Sequence, residues 1–193
     1  ELSVCVMTGG VISALKGVIS GSDSDVAWIG APNVFVEPKI ERSVSKQLRK
    51  LKCVPVFLPE KLSRDFLGTF CNTVLWPLFH YIPLSIEALQ QNDGWSAFEL
   101  ANALYAKAVL DVYADGDVVF VQDFHLMLVP AILRAAKPHM KVWFTASFRG
   151  VFTFCVGCSP RSGSFCTPRG QAPRFTAPCR GAKSCFSECC RAV

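Results

Sequence analysis

The chain has 193 residues, enough for one domain or one and a piece, and half of them are hydrophobic while only 18% are charged, which excludes a wholly disordered chain and supplies a sizeable core. The formal net charge of +5 is misleading, because residues 1–150 balance 14 Lys and Arg against 14 Asp and Glu and the whole excess lies in 151–193. No run reaches the ~18 apolar residues of a membrane helix and "ELSVCVMTGG" has no basic-then-apolar leader, so the expectation is a soluble, cytoplasmic protein without a membrane partner.

The first 150 residues alternate between strand and helix patterns. "GGVISALKGV" (9–18) opens a helix on two glycines, Gly9 and Gly10. "DVAWIG" (25–30) is a short strand that runs into a turn at Ala31-Pro32-Asn33. "KIERSVSKQLRKLK" (39–52) places Ile40, Val44, Leu48 and Leu51 on one stripe at helical spacing, with a basic opposite face. "CVPVFL" (53–58) reads as a buried strand closed by Pro59. "SRDFLGTFCNTVLWPLFHYIP" (63–83) is aromatic-rich and irregular or helical.

The strongest helix pattern is "GWSAFELANALYAKAVLDVYADGD" (94–117), with Ser96 as N-cap, Glu99 three residues on and Gly116 as the stop. "VVFVQ" (118–122) follows as a central strand, then a helix in "LMLVPAILRAA" and a strand in "KVWFTAS" (141–147). Strands separated by helices, with continuous rather than alternating apolar runs, predict an α/β fold: a Rossmann-like parallel sheet with helices on both faces.

From about residue 150 the pattern stops. Residues 151–193 hold six basic residues, one acid (Glu188) and seven of the ten cysteines, with no apolar period of 3.6 or 2. The sequence therefore divides into 1–149, an incomplete Rossmann-like domain, and 150–193, an irregular Cys/Arg/Pro-rich tail. The tail's mixture is expected to be disordered or foreign to the domain, as out-of-frame or intronic translation would be. Cys155-x-x-Cys158 has no second CxxC and no His to complete a zinc site. Lys and Arg are scattered rather than aligned on one face, which argues against nucleic acid as a partner.

In parallel sheets ligands bind outside the carboxyl ends of the strands, and that is where "VVFVQDFH" places Asp123. A carboxylate there can orient a ligand by accepting two hydrogen bonds; the plain alternative is an N-cap for the following helix, worth about 1 kcal/mol. Trp76 of "LWPLFHY" offers an indole face and one N–H donor to a ligand, or else fills the core. Gly9 and Gly10 allow a backbone to approach a phosphate at a helix N-terminus, or else form an ordinary turn. His80, Tyr81 and His125 read as packing or structural residues.

"GGVISALKGV", "CVPVFL", "CNTVLWPLFHY" (71–81) and "QDFHLMLVPAILR" (122–134), in that order, resemble the N-terminal half of trehalose-6-phosphate synthase over roughly residues 1–148. The resemblance implies the first of two Rossmann-like domains of a retaining glycosyltransferase in trehalose biosynthesis. Such an enzyme moves glucose from UDP-glucose to glucose 6-phosphate without a metal or other cofactor. It further implies Asp123 as a residue touching the reacting sugars, Gly9 and Gly10 at the donor phosphate, and Trp76 at the acceptor.

Departures from the family pattern point the other way. Ala31 stands where the family has Trp, Leu67 where it has the second of two Tyr, Gln122 where it has the His before the strand-end Asp, and Thr145 near a donor-side His. A phosphate-binding Arg before Gly9 and the second, donor-clamping domain have no counterpart in the sequence. The chain alone is therefore expected to be inactive, as a piece of a trehalose-phosphate synthase. The alternative is a non-catalytic, synthase-like regulatory subunit that binds a full-length partner; a third is a generic Rossmann-like binding domain.

Overall fold

The computed structural model describes residues 25–86, 93–147 and 153–157. Strand β1 (Trp28–Gly30) pairs in parallel with β2 (Cys53–Pro55), and helix α1 (Glu41–Lys50) connects them in a βαβ unit. β2 is shorter than the apolar run suggests because its partner β1 ends at Gly30, whose carbonyl takes the last bond, from Val56 N at 2.9 Å. On α1 only Val44 of the predicted stripe is buried, with Ile40 and Leu51 exposed at the ends.

The aromatic-rich stretch is continuously helical. α2 (Glu60–Ser63) leads into a π-helical segment, Arg64–Leu75, and then α3 (Trp76–Phe79). Pro77 follows the last π-type bond, from Trp76 N to the Cys71 carbonyl, and its missing N–H ends that ladder. Helix α4 (Asp93–Leu110) begins before Ser96, so Ser96 lies inside the first turn and is not the cap. α4 also ends before Gly116, whose φ of +103° serves the later turn into the next strand.

β3 (Val118–Gln122) and β4 (Lys141–Ser147) run parallel with Val119 opposite Val142 and Gln122 opposite Thr145. α5 (Val129–Ala136) crosses between them. β5 (Thr153–Gly157) adds antiparallel to β4, placing Cys155 opposite Thr145. The sheet order β3-β4-β5 makes β4 central among the described strands, where the sequence suggests β3, and gives an otherwise parallel arrangement one antiparallel edge. β5 lies inside the stretch that the sequence sets apart from the domain; 148–152 and 158–193 lie outside the described residues.

Two apolar clusters share helix α4. Its C-terminal half gives Ala106 and Val109 to a cluster with Val119, Val121 and Val142 of the sheet and Val129 and Leu133 of α5. Its N-terminal half gives Phe98 and Ala101 to a second cluster with Phe66, Phe70, Cys71 and Leu75 of the π-helical segment, and with Phe124 from the turn after β3. Phe98 is the hub, with ring centroids 5.1 Å from Phe70, 5.9 Å from Phe66 and 5.7 Å from Trp95. The carboxyl end of β3 is thus wedged between both clusters. No helix among the described residues is long and apolar enough to cross a membrane.

Candidate functional site at the carboxyl end of β3

At the end of β3 the sheet ladder continues one step past the strand, because the Asp123 N–H donates to the Thr145 carbonyl at 2.6 Å. The backbone then turns sharply. Asp123 has φ +74° and ψ 159°, a region that glycine occupies with ease and a residue with a Cβ at a cost of about 1–3 kcal/mol. Asp123 Oδ1 accepts from Phe124 N at 2.8 Å, and its carbonyl accepts from Leu126 N at 3.2 Å, closing the single 3₁₀ turn Phe124–Leu126. The capping role and the strand-end position therefore coexist in one residue.

The turn delivers side chains in alternate directions. Phe124 is buried against Phe79, centroids 5.5 Å apart, and against Trp76 at 6.4 Å. His125 stacks on the outer face of Phe124 at 4.1 Å and directs Nδ1 toward Asp123 Oδ2 at 3.6 Å. Trp76 is 46% exposed. His80, one turn further on, lies against it with centroids 3.5 Å apart, and its Nδ1 donates to the Trp76 carbonyl at 2.7 Å. Trp76 and Asp123 are thus brought to one neighbourhood with Phe124 between them. Gly9 and Gly10 lie outside the described residues.

Burial alone would push the Asp123 carboxyl up, but the His125 side chain, the Phe124 N–H and the charges of His125 and His80 together hold it below its ordinary value. The ionised carboxylate is therefore the resting form at neutral pH. Its charge, added to the larger effect of burial, pushes the Cys71 thiol up to about 12. Cys71 is thus a neutral apolar wall of the site.

Two residues missed in the sequence complete the surroundings. Asn102, on α4, is fully buried; its amide N donates to the Phe98 carbonyl at 2.9 Å and the His125 carbonyl at 3.1 Å, and its oxygen accepts from Leu128 N at 3.2 Å. Its signal was an Asn on the apolar side of an otherwise Ala-rich helix. The Tyr105 hydroxyl, one turn along, accepts from Ala31 N at 3.1 Å and pins the loop after β1. Tyr81 does not pack: it is largely exposed, with φ +56°.

Two of the departures, Gln122 and Thr145, fall at this edge. Thr145 Oγ1 donates to Gln122 Oε1 at 2.9 Å across the β3–β4 register. This leaves the Gln122 amide N–H groups as donors beside the Asp123 acceptor. The described residues hold no group of three or more His, Cys, Asp and Glu able to bind a metal ion. What the edge offers is an ionised acceptor, neutral donors and a half-exposed indole, a set suited to a polyhydroxylated ring.

The family described as glycosyltransferase family 20 matches residues 2–148. The alpha,alpha-trehalose-phosphate synthase (UDP-forming) 1 of Arabidopsis thaliana is 36% identical over 149 residues, which is 74% of this chain and 16% of that protein. Among solved structures, "Trehalose-6-phosphate from E. coli bound with UDP-2-fluoro glucose" aligns with a TM-score of 0.54 and 20% identity, over 76% of this chain and 31% of that one. An alpha,alpha-trehalose-phosphate synthase (UDP-forming) from Burkholderia xenovorans, in complex with glucose-6-phosphate, aligns with a TM-score of 0.55 and 17% identity, over 75% and 31%. These neighbours confirm the Rossmann-like α/β fold, and the chain spans less than a third of each protein it resembles here. By the family match and the identity to its relatives, the chain belongs to glycosyltransferase family 20.

Proposed function

We propose that this chain carries the acceptor-facing part of a trehalose-phosphate synthase, whose complete form moves glucose from UDP-glucose to glucose 6-phosphate and releases UDP. The observation that carries the reading is Asp123, an ionised carboxylate held at a strand end in a backbone region costly to any side chain. Strain of that kind persists where a side chain has to be aimed. The carboxylate accepts sugar hydroxyls, and Trp76 lies one ring away as a wall for the hexose. As the anomeric carbon becomes oxocarbenium-like, a fixed negative group nearby stabilises the developing charge. Support for sugar nucleotide and sugar phosphate as ligands comes from the E. coli and Burkholderia xenovorans structures, which hold UDP-2-fluoro glucose and glucose-6-phosphate. Gly9 and Gly10 belong to this reading as the donor-phosphate turn. The buried free thiol of Cys71 fits a reducing compartment, and so a cytoplasmic location.

Catalysis needs donor and acceptor aligned and shielded from water. We therefore expect the 193-residue chain to bind glucose 6-phosphate weakly and to release no UDP at an enzyme-like rate. Titration of glucose 6-phosphate into the labelled chain, followed by NMR, tests this. Shifts at Trp76 and Asp123 that vanish in Trp76→Ala and Asp123→Asn support the reading; shifts confined to other residues refute it.

A second reading is favoured by the Gln122–Thr145 bond. Two of the departures from the family pattern satisfy each other, as they would in a regulatory subunit that retains the fold and binds a full-length synthase. Co-purification of the chain with a complete synthase, in the absence of sugar binding, selects that alternative.

A further inference from the structure

We propose that Asn102 is the positioning residue of this site: it locks the turn after β3 to helix α4 and so keeps Asp123 in its left-handed backbone conformation with the carboxylate at the sheet edge. Asp123 is gripped on its N-terminal side by the sheet, through its N–H to the Thr145 carbonyl. On its C-terminal side the turn has no sheet partner. There the His125 carbonyl and the Leu128 N–H, one on each side of Leu126–Met127, are both taken by the single buried amide of Asn102 at 3.1 and 3.2 Å.

The second N–H of that amide is spent on the Phe98 carbonyl at 2.9 Å, within α4 itself. Two carbonyls take the NH2 and one N–H takes the oxygen, so only one orientation of the amide satisfies all three partners. No apolar residue can do this, and Asp, the isostere, supplies no donor for the two carbonyls. The side chain sits where the two apolar clusters meet, between Phe98 and Ala101 on one side and Ala106 on the other. A polar group is expensive there; its two bonds to the turn and one within its own helix are the reason it is tolerated.

His125 depends on the same lock. With its carbonyl held by Asn102, the imidazole stays stacked on Phe124 and faces Asp123. The groups facing the carboxylate are His125 from its own turn, His80 from the end of α3, and the Cys71 thiol from the π-helical segment. Releasing the turn moves only His125 among these. The positioning is independent of the ligand; that the carboxylate then meets a sugar rests on the function proposed above.

The test is the titration of Asp123, followed by its side-chain carboxylate resonance in the full chain. Asn102→Asp and Asn102→Ala are compared with Val109→Ala, a control that destabilises the sheet side of α4 without touching the turn. In both Asn102 variants the Asp123 midpoint is expected to rise toward the ordinary carboxylate value, and in Val109→Ala to stay as in the wild type. Folded Asn102 variants with a wild-type Asp123 titration overturn the proposal. If neither variant folds, exchange of the Leu128 amide in the wild-type chain decides: protection equal to that of helix amides supports the lock, and exchange as fast as an open loop refutes it. Binding of glucose 6-phosphate to the wild-type chain is scored separately, so loss of the sugar reading leaves this result standing.

Discussion

At Asp123 the cost of the backbone and the use of the side chain are in opposition. Glycine occupies φ +74°, ψ 159° without the Cβ penalty. Asp123→Gly is therefore expected to be more stable than Asp123→Ala by about 1–2 kcal/mol, measured by urea denaturation; equal stabilities would show that the backbone there is unstrained. The carboxyl's depressed titration carries a second consequence. Because the folded group releases its proton more readily than the unfolded one, its stabilising contribution is complete above the unfolded carboxylate pKa of about 3.9 and fades as the pH falls through the lower folded value. The stability difference between wild type and Asp123→Asn should thus narrow below about pH 4; a difference constant from pH 6 to 3 would contradict the assignment. Asp123 and Trp76 were legible in the sequence because a carboxylate after an apolar strand and an indole before a proline are visible locally. Asn102 was not, because its three bonds reach residues 4, 23 and 26 positions away.

At the scale of elements, helix α4 is the member on which both clusters depend, and its first turn shows how tightly. A Cβ on Gly94 would lie 2.9 Å from Phe70 Cδ2 and 3.0 Å from Phe70 Cβ. The contact is with the root of a packed ring, which cannot swing away. Alanine improves helix propensity by about 1 kcal/mol, yet overpacking costs about 1–3 kcal/mol. Gly94→Ala is therefore expected to destabilise on balance, with near-UV circular dichroism reporting a disturbed Phe70–Trp95 pair, whose centroids are 5.8 Å apart; a raised melting temperature would disprove the clash. The helix-strand alternation from β1 to β4 could be read from apolar periodicity. The ends of α4 could not: Ser96 and Gly116 satisfy cap and stop rules locally, but the helix starts earlier, where Gly94 meets Phe70, and stops earlier, before Asp117 accepts from Ala114 N at 2.8 Å in the following turn.

For the whole molecule the decisive feature is the sheet edge. β5 covers one side of β4 with a five-residue antiparallel ladder. Removing residues 149–193 would expose the β4 edge of Lys141–Ser147, which alternates Val142, Phe144 and Ala146 with Trp143 and Thr145, and an unprotected apolar edge recruits other strands. The shortened chain is expected to self-associate more strongly than the full one in light scattering; equal monodispersity would show that β5 does not guard the edge. This places a structural role in a segment whose composition alone suggested none.

The amino-acid sequence by itself determined the α/β class, the order of strands and helices between residues 25 and 147, and the strand-end position of Asp123, because apolar periodicity and turn residues act over a few neighbours. Only the tertiary structure decided that Asp123 is strained and ionised, that Trp76 lies one ring away from it across Phe124, that Gln122 and Thr145 pair, and that β5 joins the sheet. Those features arise from hydrogen bonds and ring contacts between segments far apart in the chain, and no local pattern encodes which distant group a buried Asn or an edge strand will meet.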